Sequence, residues 1–388
     1  MGKRVAVVGT GQTHHRSKRP DVSIPELVRE AVDRALENAH ADLGAVDAIV
    51  IGNMEHFEGI HLSDLWPAEE AGLWGKPGFK VATGGTTGSS LAIAAYYTVA
   101  SGLYDRVLAV GWEKLSESAG ETTTGIVTAF DPIYERPTLA GAVSGLAVMA
   151  TAYQYRHSIP PGQAALATVY ARANAMRNPH AHLRKPVTVE DVLASPMLST
   201  PIRLLDMCPT SDGACAVLFA SEEAVGRFPG PPAWISGVHS CHNHTYLGDL
   251  CGDTPVFLDT LTTAAKEAYR QAGIADPRNQ IDVVEIYGPC SWACLEWAES
   301  LGFCGLGEGG KFFASGAPAF EGDIPWSPSG GVISTNPIGA TGLIRVAEAA
   351  IQVRGEGGDR QVPGVRTALA TGFGGSYWSE VMILAREK

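Results

Sequence analysis

The chain has 388 residues, long enough for two domains or one large two-lobed domain with a substantial core. Hydrophobic residues make up 45% and charged residues 18%, which excludes disordered and fibrous classes. A net charge of −12 and the lack of a basic stripe interleaved with aromatics argue against nucleic-acid binding, and no apolar run reaches membrane-spanning length.

The N-terminus, MGKRVAVVGTGQT, enters a strand pattern directly and shows no signal peptide, so a cytosolic location is the default expectation. Arg4 to Val8 reads as a buried strand. Gly9-Thr10-Gly11 after it resembles the opening of a dinucleotide loop, but the third glycine is missing and His14 and His15 follow, so a nicotinamide site is not expected. Ser23-Ile24-Pro25-Glu26 has the form of a helix start, with an N-cap, a proline and a carboxylate in the first turn, and predicts a helix through about Asn38. Asp47 to Ile51 predicts a second strand, Thr87 to Ser101 a buried helix, and Val107 to Val110 a third strand. Residues 120–200 interrupt this order with proline-rich stretches and read as a region inserted over the core. The second half starts near Ala233-Trp234-Ile235-Ser236 and ends on a strand at Glu380 to Leu384.

The order of elements occurs twice. GGTTGSSLAIAAYYTVASG (84–102) is echoed by IGATGLIRVAEAAIQVRGE (338–355 and the residue after), a glycine turn running into an alanine-rich helix. DAIVIGN (47–53) and DVVEIYG (282–288) precede the two copies, and RVLAVGWE (106–113) and RTALATGFGG (366–375) follow them. Duplication of one βα unit explains this, with halves at 1–225 and 226–388 and the insertion in the first. Alternating strands and helices predict a layered α/β architecture.

Seven cysteines, an odd number without a signal peptide, favour free thiols. Neither Cys241-His242-Asn243-His244 nor the Cys290/Cys294 pair has zinc-ribbon spacing, so no metal is expected.

Three segments carry a resemblance: NPHAHLRKPVTVEDVLASPMLSTPIRLLDMCPTSDGACAVLFAS (178–221), GFCGLGEGGKFF (302–313) and SPSGGVISTNPIGATG (327–342). They resemble the thiolase superfamily, especially the sterol-carrier-protein type, and the similarity covers nearly the whole chain. The resemblance implies a thiolase fold, five αβαβα layers made of two βαβαβαββ halves. It also implies a homodimer acting on coenzyme A thioesters, with no cofactor beyond the coenzyme A of the substrate.

All four loops that carry chemistry in such thiolases differ here. Gly85 stands where the resemblance implies a nucleophilic cysteine, three residues before Gly88, and the neighbouring Thr86 and Thr87 are unactivated alcohols. Tyr287-Gly288-Pro289-Cys290 replaces His-Asp-x-Phe, Thr335-Asn336-Pro337 replaces Gly-His-Pro, and Ala370 to Gly375 lacks a titratable side chain.

A cysteine-free branch of the superfamily implies retro-aldol cleavage of a β-hydroxyacyl-CoA, such as a steroid side-chain thioester. That reaction needs a proton-transfer group and donors for the enolate, and no covalent nucleophile. Tyr287 is the candidate acid or base and Asn336 the candidate enolate donor. Gly85, Thr86, Gly88, Gly374 and Gly375 are candidate substrate-binding residues, with the N–H of Gly374 or Gly375 as a further donor. Two alternatives stand beside this: a β-ketoacyl-CoA thiolase using another cysteine, Cys290 first and Cys208 next, and a non-catalytic subunit of a hetero-oligomer. The branch also implies a separate zinc-ribbon/OB-fold partner protein, and Trp66, Leu73, Trp74 and Phe79 are candidates for a dimer or partner surface.

Overall fold

The first strand, β1 (Val5–Gln12), is buried along its whole length, so it runs through Gly9-Thr10-Gly11 instead of turning there. In this computed structural model, which describes residues 2–55, 63–118, 125–242, 246–247, 256–375 and 378–387, that glycine pair serves packing. A Cβ on Gly11 would stand 2.3 Å from the Ala31 carbonyl of the helix lying across the strand. That helix, α1 (Ile24–Asn38), starts where the sequence predicts. Ser23 Oγ accepts the Glu26 N–H and the Glu26 carboxylate accepts the Ser23 N–H at 2.7 Å, a capping box contributing about 1 kcal/mol. Leu27, Val28, Ala31, Val32 and Ala35 form its buried stripe.

The first half continues with β2 (Ala48–Gly52), β3 (Gly78–Lys80), α2 (Thr87–Ala100) and β4 (Arg106–Lys114). The insertion follows as α3 (Ala142–His157), α4 (Pro161–Ala175), α5 (Val189–Ala194) and a hairpin of β5 (Met197–Ser199) and β6 (Ile202–Arg203). β7 (Asp212–Ser221) closes the half. The second half contains β8 (Ala233–His242), α6 (Val256–Ala272), α7 (Pro277–Gln280), β9 (Val283–Glu285), α8 (Ser291–Ser300), α9 (Gly309–Ala314), α10 (Gly331–Ser334), α11 (Ile338–Arg354), β10 (Thr367–Phe373) and β11 (Trp378–Ala385).

Among the described residues the main sheet has the order β3-β2-β4-β7-β1-β8-β11-β10-β9. Its symmetry centre is the antiparallel β1–β8 pair, the first strands of the two halves. On either side the pairing repeats: β7 and β11 run antiparallel to their neighbours, and β2–β4 and β9–β10 are parallel. The counterpart of β3 is reduced to one parallel bridge, Val284 to Trp326.

Three apolar clusters define the layers. α1 covers one face of the first-half strands through Val28, Val32, Ile49, Val110 and Leu218. α2 and α11 lie between the strands of both halves, joined by Leu91, Val107, Val217, Leu343, Ala368 and Leu384. α6 and α8 cover the outer face of the second-half strands, where Leu261, Ala268, Leu295 and Ile383 meet. The result is the αβαβα thiolase fold. The insertion packs on α8 in that last cluster. The six cysteines among the described residues are free thiols; Asn243, His244 and Cys251 lie outside the described residues.

The two glycine turns meet at the crossing of α2 and α11. A Cβ on Gly88 would stand 2.7 Å from the Gly342 nitrogen, and one on Gly342 would stand 2.3 Å from the Ser89 nitrogen. Gly88 and Gly342 occupy the same place in the two copies, so the repeated glycine lets the central helices approach to backbone contact.

Candidate active site

One cavity, about 360 Å³, opens between the two glycine turns and the loops at the ends of β9 and β10. Gly84, Gly85, Tyr287, Asn336, Gly374 and Gly375 line it, so residues far apart in sequence share one wall. Phe130, Gly145 and Leu146 of the insertion close the opposite, apolar side. Cavities of this size, mostly apolar with a few converging polar groups, are the usual form of a small-molecule site.

Tyr287 sits two residues beyond β9, and a buried ion pair fixes that strand to α11. Arg345 pairs with Glu285 and donates to Ser329 Oγ at 2.7 Å, while Ser329 Oγ donates to Glu285 Oε2 at 2.8 Å. Such a buried pair is retained for position more than for net stability. The Tyr287 N–H donates to Thr371 Oγ1 at 2.8 Å, joining the β9 loop to β10. Its phenol shares a hydrogen bond with the Thr341 hydroxyl, and burial holds it well above the ordinary tyrosine pKa. Burial therefore favours the neutral phenol, which can donate a hydrogen bond.

Asn336 is held from three sides. Its N–H donates to Ser211 Oγ at 3.1 Å, Thr341 Oγ1 donates to its Oδ1 at 2.8 Å, and its Nδ2 donates to Cys208 Sγ at 3.3 Å. Behind it, Ser211 Oγ lies 2.9 Å from His182 Nδ1, and burial lowers the pKa of that imidazole. With Oδ1 occupied, the amide nitrogen is the end of Asn336 beside the cavity-lining Cys208.

The first glycine turn is closed by its own hydroxyls. Thr86 Oγ1 donates to the Thr83 carbonyl and Thr87 Oγ1 to the Gly84 carbonyl, each at 2.7 Å. Thr86 is fully buried and, like Gly88 at the helix crossing, stands behind the lining. The expectation that these two bind substrate directly is corrected: one ties the turn and the other lets the helices touch. Gly85 does face the cavity, and a Cβ there would stand 2.6 Å from the Phe373 carbonyl. The Gly374 N–H donates to the Trp378 carbonyl at 2.8 Å, so it is engaged in the β10–β11 turn, while Gly375 also lines the cavity.

The expectation for Cys290 is also corrected. It caps α8 behind Pro289, is 1% exposed and is not in the lining; burial pushes its thiol pKa far up. Cys208 is the lining cysteine among the described residues, brought there because its N–H donates to the Pro289 carbonyl at 3.0 Å. Burial pushes its thiol up to about 12, and the side chain beside it, Asn336, cannot accept a proton.

Two contributors escaped sequence reasoning. Thr341 lies inside the GATG turn, five residues after Asn336, a spacing that one helical turn brings into contact. Glu113, fully buried at the end of β4, accepts the Met54 N–H at 3.1 Å and the Gly339 N–H at 3.0 Å, pinning the start of α11 beside the cavity. Among the described residues no cluster of three or more His, Cys, Asp or Glu side chains is placed to hold a metal, and no helix is long and apolar enough to cross a membrane.

Comparison with known proteins agrees with this architecture. Residues 5–159 match the thiolase N-terminal domain family and residues 249–386 the thiolase C-terminal domain-like family. An acetyl-CoA acetyltransferase of Methanothermobacter thermautotrophicus is 34% identical over 376 residues, 96% of each chain. Sterol carrier protein 2 of Bos taurus is 29% identical, over 96% of this chain and 70% of that one. A solved Ltp2-ChsH2(DUF35) aldolase superposes with a TM-score of 0.85 at 25% identity, covering 100% of this chain and 99% of that chain.

Proposed function

The chain belongs to the thiolase superfamily, and from that premise we propose that it cleaves a β-hydroxyacyl-CoA by a retro-aldol reaction, without an acyl-enzyme. The observation that carries this reading is the cavity wall itself. It offers two proton-bearing groups, Tyr287 and Asn336, while Cys208, the lining cysteine among the described residues, is buried with the Asn336 amide against its sulfur, and burial pushes its thiol up to about 12.

The chemistry balances with those groups alone. The Cα–Cβ bond breaks and its electron pair becomes the thioester enolate, whose oxygen accepts from Asn336 Nδ2 and the Gly375 N–H. The β-hydroxyl proton passes to the Tyr287 oxygen as the phenol proton passes to Cα. The products are a carbonyl compound and a shortened acyl-CoA. Tyr287 begins and ends neutral, so a raised pKa suits this relay, whereas it would oppose a mechanism requiring a phenolate.

Similarity to the Ltp2-ChsH2(DUF35) aldolase supports the reaction class, and the two components in that name support the expectation of a separate partner protein. Trp66, Trp74 and Phe79 are at least half exposed and form the surface we assign to a partner or second copy; Leu73 is half-buried against the α1 layer. Acyl transfer is the second reading, favoured by the 34% identity to an acetyltransferase, with Cys208 as its nucleophile.

The test is an incubation of the purified protein, with and without its partner, with a β-hydroxyacyl-CoA alone and with a β-ketoacyl-CoA plus free CoA. Cleavage of the hydroxyacyl substrate supports the lyase. Cleavage of the ketoacyl substrate only, dependent on free CoA, overturns it in favour of acyl transfer.

A further inference from the structure

A second cavity, about 580 Å³, is lined by the same segment and helix that close the first. Ile126, Thr128, Ala129 and Phe130, with Ala142, Gly145 and Leu146 of α3, line the inner cavity, while Tyr134, Glu135, Leu139 and Val148 of the same segment and helix line the outer one. Phe130 from the inner lining and Leu247 from the outer both rest on Gly145, where an added Cβ would stand 2.9 Å from Phe130 Cζ and 3.7 Å from Leu247 Cδ2.

The outer lining is hydrocarbon and aromatic. Tyr134 and Tyr246 meet edge to face with ring centroids 5.7 Å apart, and Leu139, Val148 and Leu247 complete the apolar floor. The polar groups look inward to the backbone: Glu135 Oε2 accepts the Asp131 N–H at 3.1 Å, its Oε1 accepts the Leu247 N–H, and Thr138 Oγ1 donates to the Glu135 carbonyl at 2.9 Å. No Lys or Arg is among the described lining residues, so the cavity offers no counter-charge to the phosphates of CoA. Tyr134 is 69% exposed, an apolar surface that a bound hydrocarbon would cover.

We propose that this outer cavity is a second acyl subsite, which takes the ring-bearing or branched apolar end of the acyl chain, with Phe130 as the partition that the chain passes. This rests on the acyl-CoA reading above and deepens it: the preferred substrates carry an acyl group too large for the inner cavity alone. Val148 and Thr138 determine specificity through volume and touch none of the reacting groups.

The experiment measures binding by calorimetry, without turnover, for β-hydroxybutyryl-CoA and for a β-hydroxyacyl-CoA ending in a cyclohexyl ring. The proteins are wild type, Val148→Trp, Thr138→Trp and Phe130→Ala. Filling the outer cavity from either of two elements is expected to weaken the cyclohexyl ligand about tenfold and leave the four-carbon ligand within about twofold. Phe130→Ala is expected to tighten the cyclohexyl ligand alone. Equal effects on both ligands, or none on either, overturn the second subsite and leave the acyl-CoA reading standing. Failure of the wild type to bind either thioester overturns the acyl-CoA reading itself.

Discussion

Thr341 Oγ1 donates to Asn336 Oδ1 at 2.8 Å, and that bond leaves the amide nitrogen of Asn336 on the side of the cavity-lining Cys208. The chain of groups runs from the Tyr287 phenol through Thr341 to Asn336 and ends at Cys208 Sγ, so the proposed proton relay and the proposed enolate donor are oriented together. Asn336→Ala is expected to lower kcat about 100-fold with a smaller change in KM, the pattern of a donor that acts mainly in the transition state. Thr341→Val is expected to lower kcat about tenfold, because the amide loses its orientation but remains present. Steady-state kinetics on the β-hydroxyacyl-CoA measures both.

Cys208 separates the two reaction classes. With a thiol pushed up to about 12, alkylation by iodoacetamide at pH 7.5 is expected to be far slower than that of a free thiol. Cys208→Ala is expected to retain cleavage within about threefold, since it removes a weak acceptor from Asn336 and no nucleophile. Loss of activity together with an acyl adduct on the wild-type protein by intact-mass spectrometry would support acyl transfer.

Gly85 cannot simply be exchanged for a cysteine. A Cβ there would stand 2.6 Å from the Phe373 carbonyl, a backbone atom that cannot swing aside. Gly85→Cys is expected to displace the β10 loop, lower thermal stability by about 1–3 kcal/mol equivalent and fail to install thiolytic activity. Calorimetric melting and a CoA-dependent cleavage assay check the two parts.

Glu380 gives a pH signature in stability. Burial pushes its carboxyl up to about 7 from 4.5, while Ser90 and Ser240 hydrogen-bond to Oε1. The folded state therefore keeps a proton that the unfolded chain has released between pH 4.5 and 7, and the stability this brings is lost as pH rises through that window. The total is about 3 kcal/mol. Buried His15, whose pKa is held well below the usual imidazole value, acts with the opposite sign below pH 6.5, so the test is a difference. Denaturant unfolding is expected to show Glu380→Gln gaining on wild type from pH 4.5 to 7 and holding a constant advantage above.

Local rules made much of the fold legible. Ser23, Pro25 and Glu26 announced α1, and the repeat located both glycine turns because duplicated elements keep duplicated sequence. Gly9-Thr10-Gly11 was set aside as a dinucleotide loop on its missing third glycine, but its packing role was not legible, because a glycine required by a helix backbone across a strand looks the same in sequence as a glycine required by a turn. Gly88 was read as a cavity residue for a similar reason, when its lack of a side chain serves the contact with Gly342. The site was legible where loop position decides exposure, as for Tyr287, Asn336, Gly85 and Gly375. It was not legible where long-range pairing decides: Cys208 reaches the cavity through the Pro289 carbonyl, and Cys290, beside that same proline, is turned away to cap α8.

The most direct test is a quenched time course of a β-hydroxyacyl-CoA with the purified protein and no free CoA, comparing wild type with Tyr287→Phe. Wild type should release the carbonyl compound and the shortened acyl-CoA in equal amounts, and the variant should slow about 100-fold with its binding of the thioester unchanged. Full activity in Tyr287→Phe, or wild-type cleavage that waits on added CoA, would contradict the account.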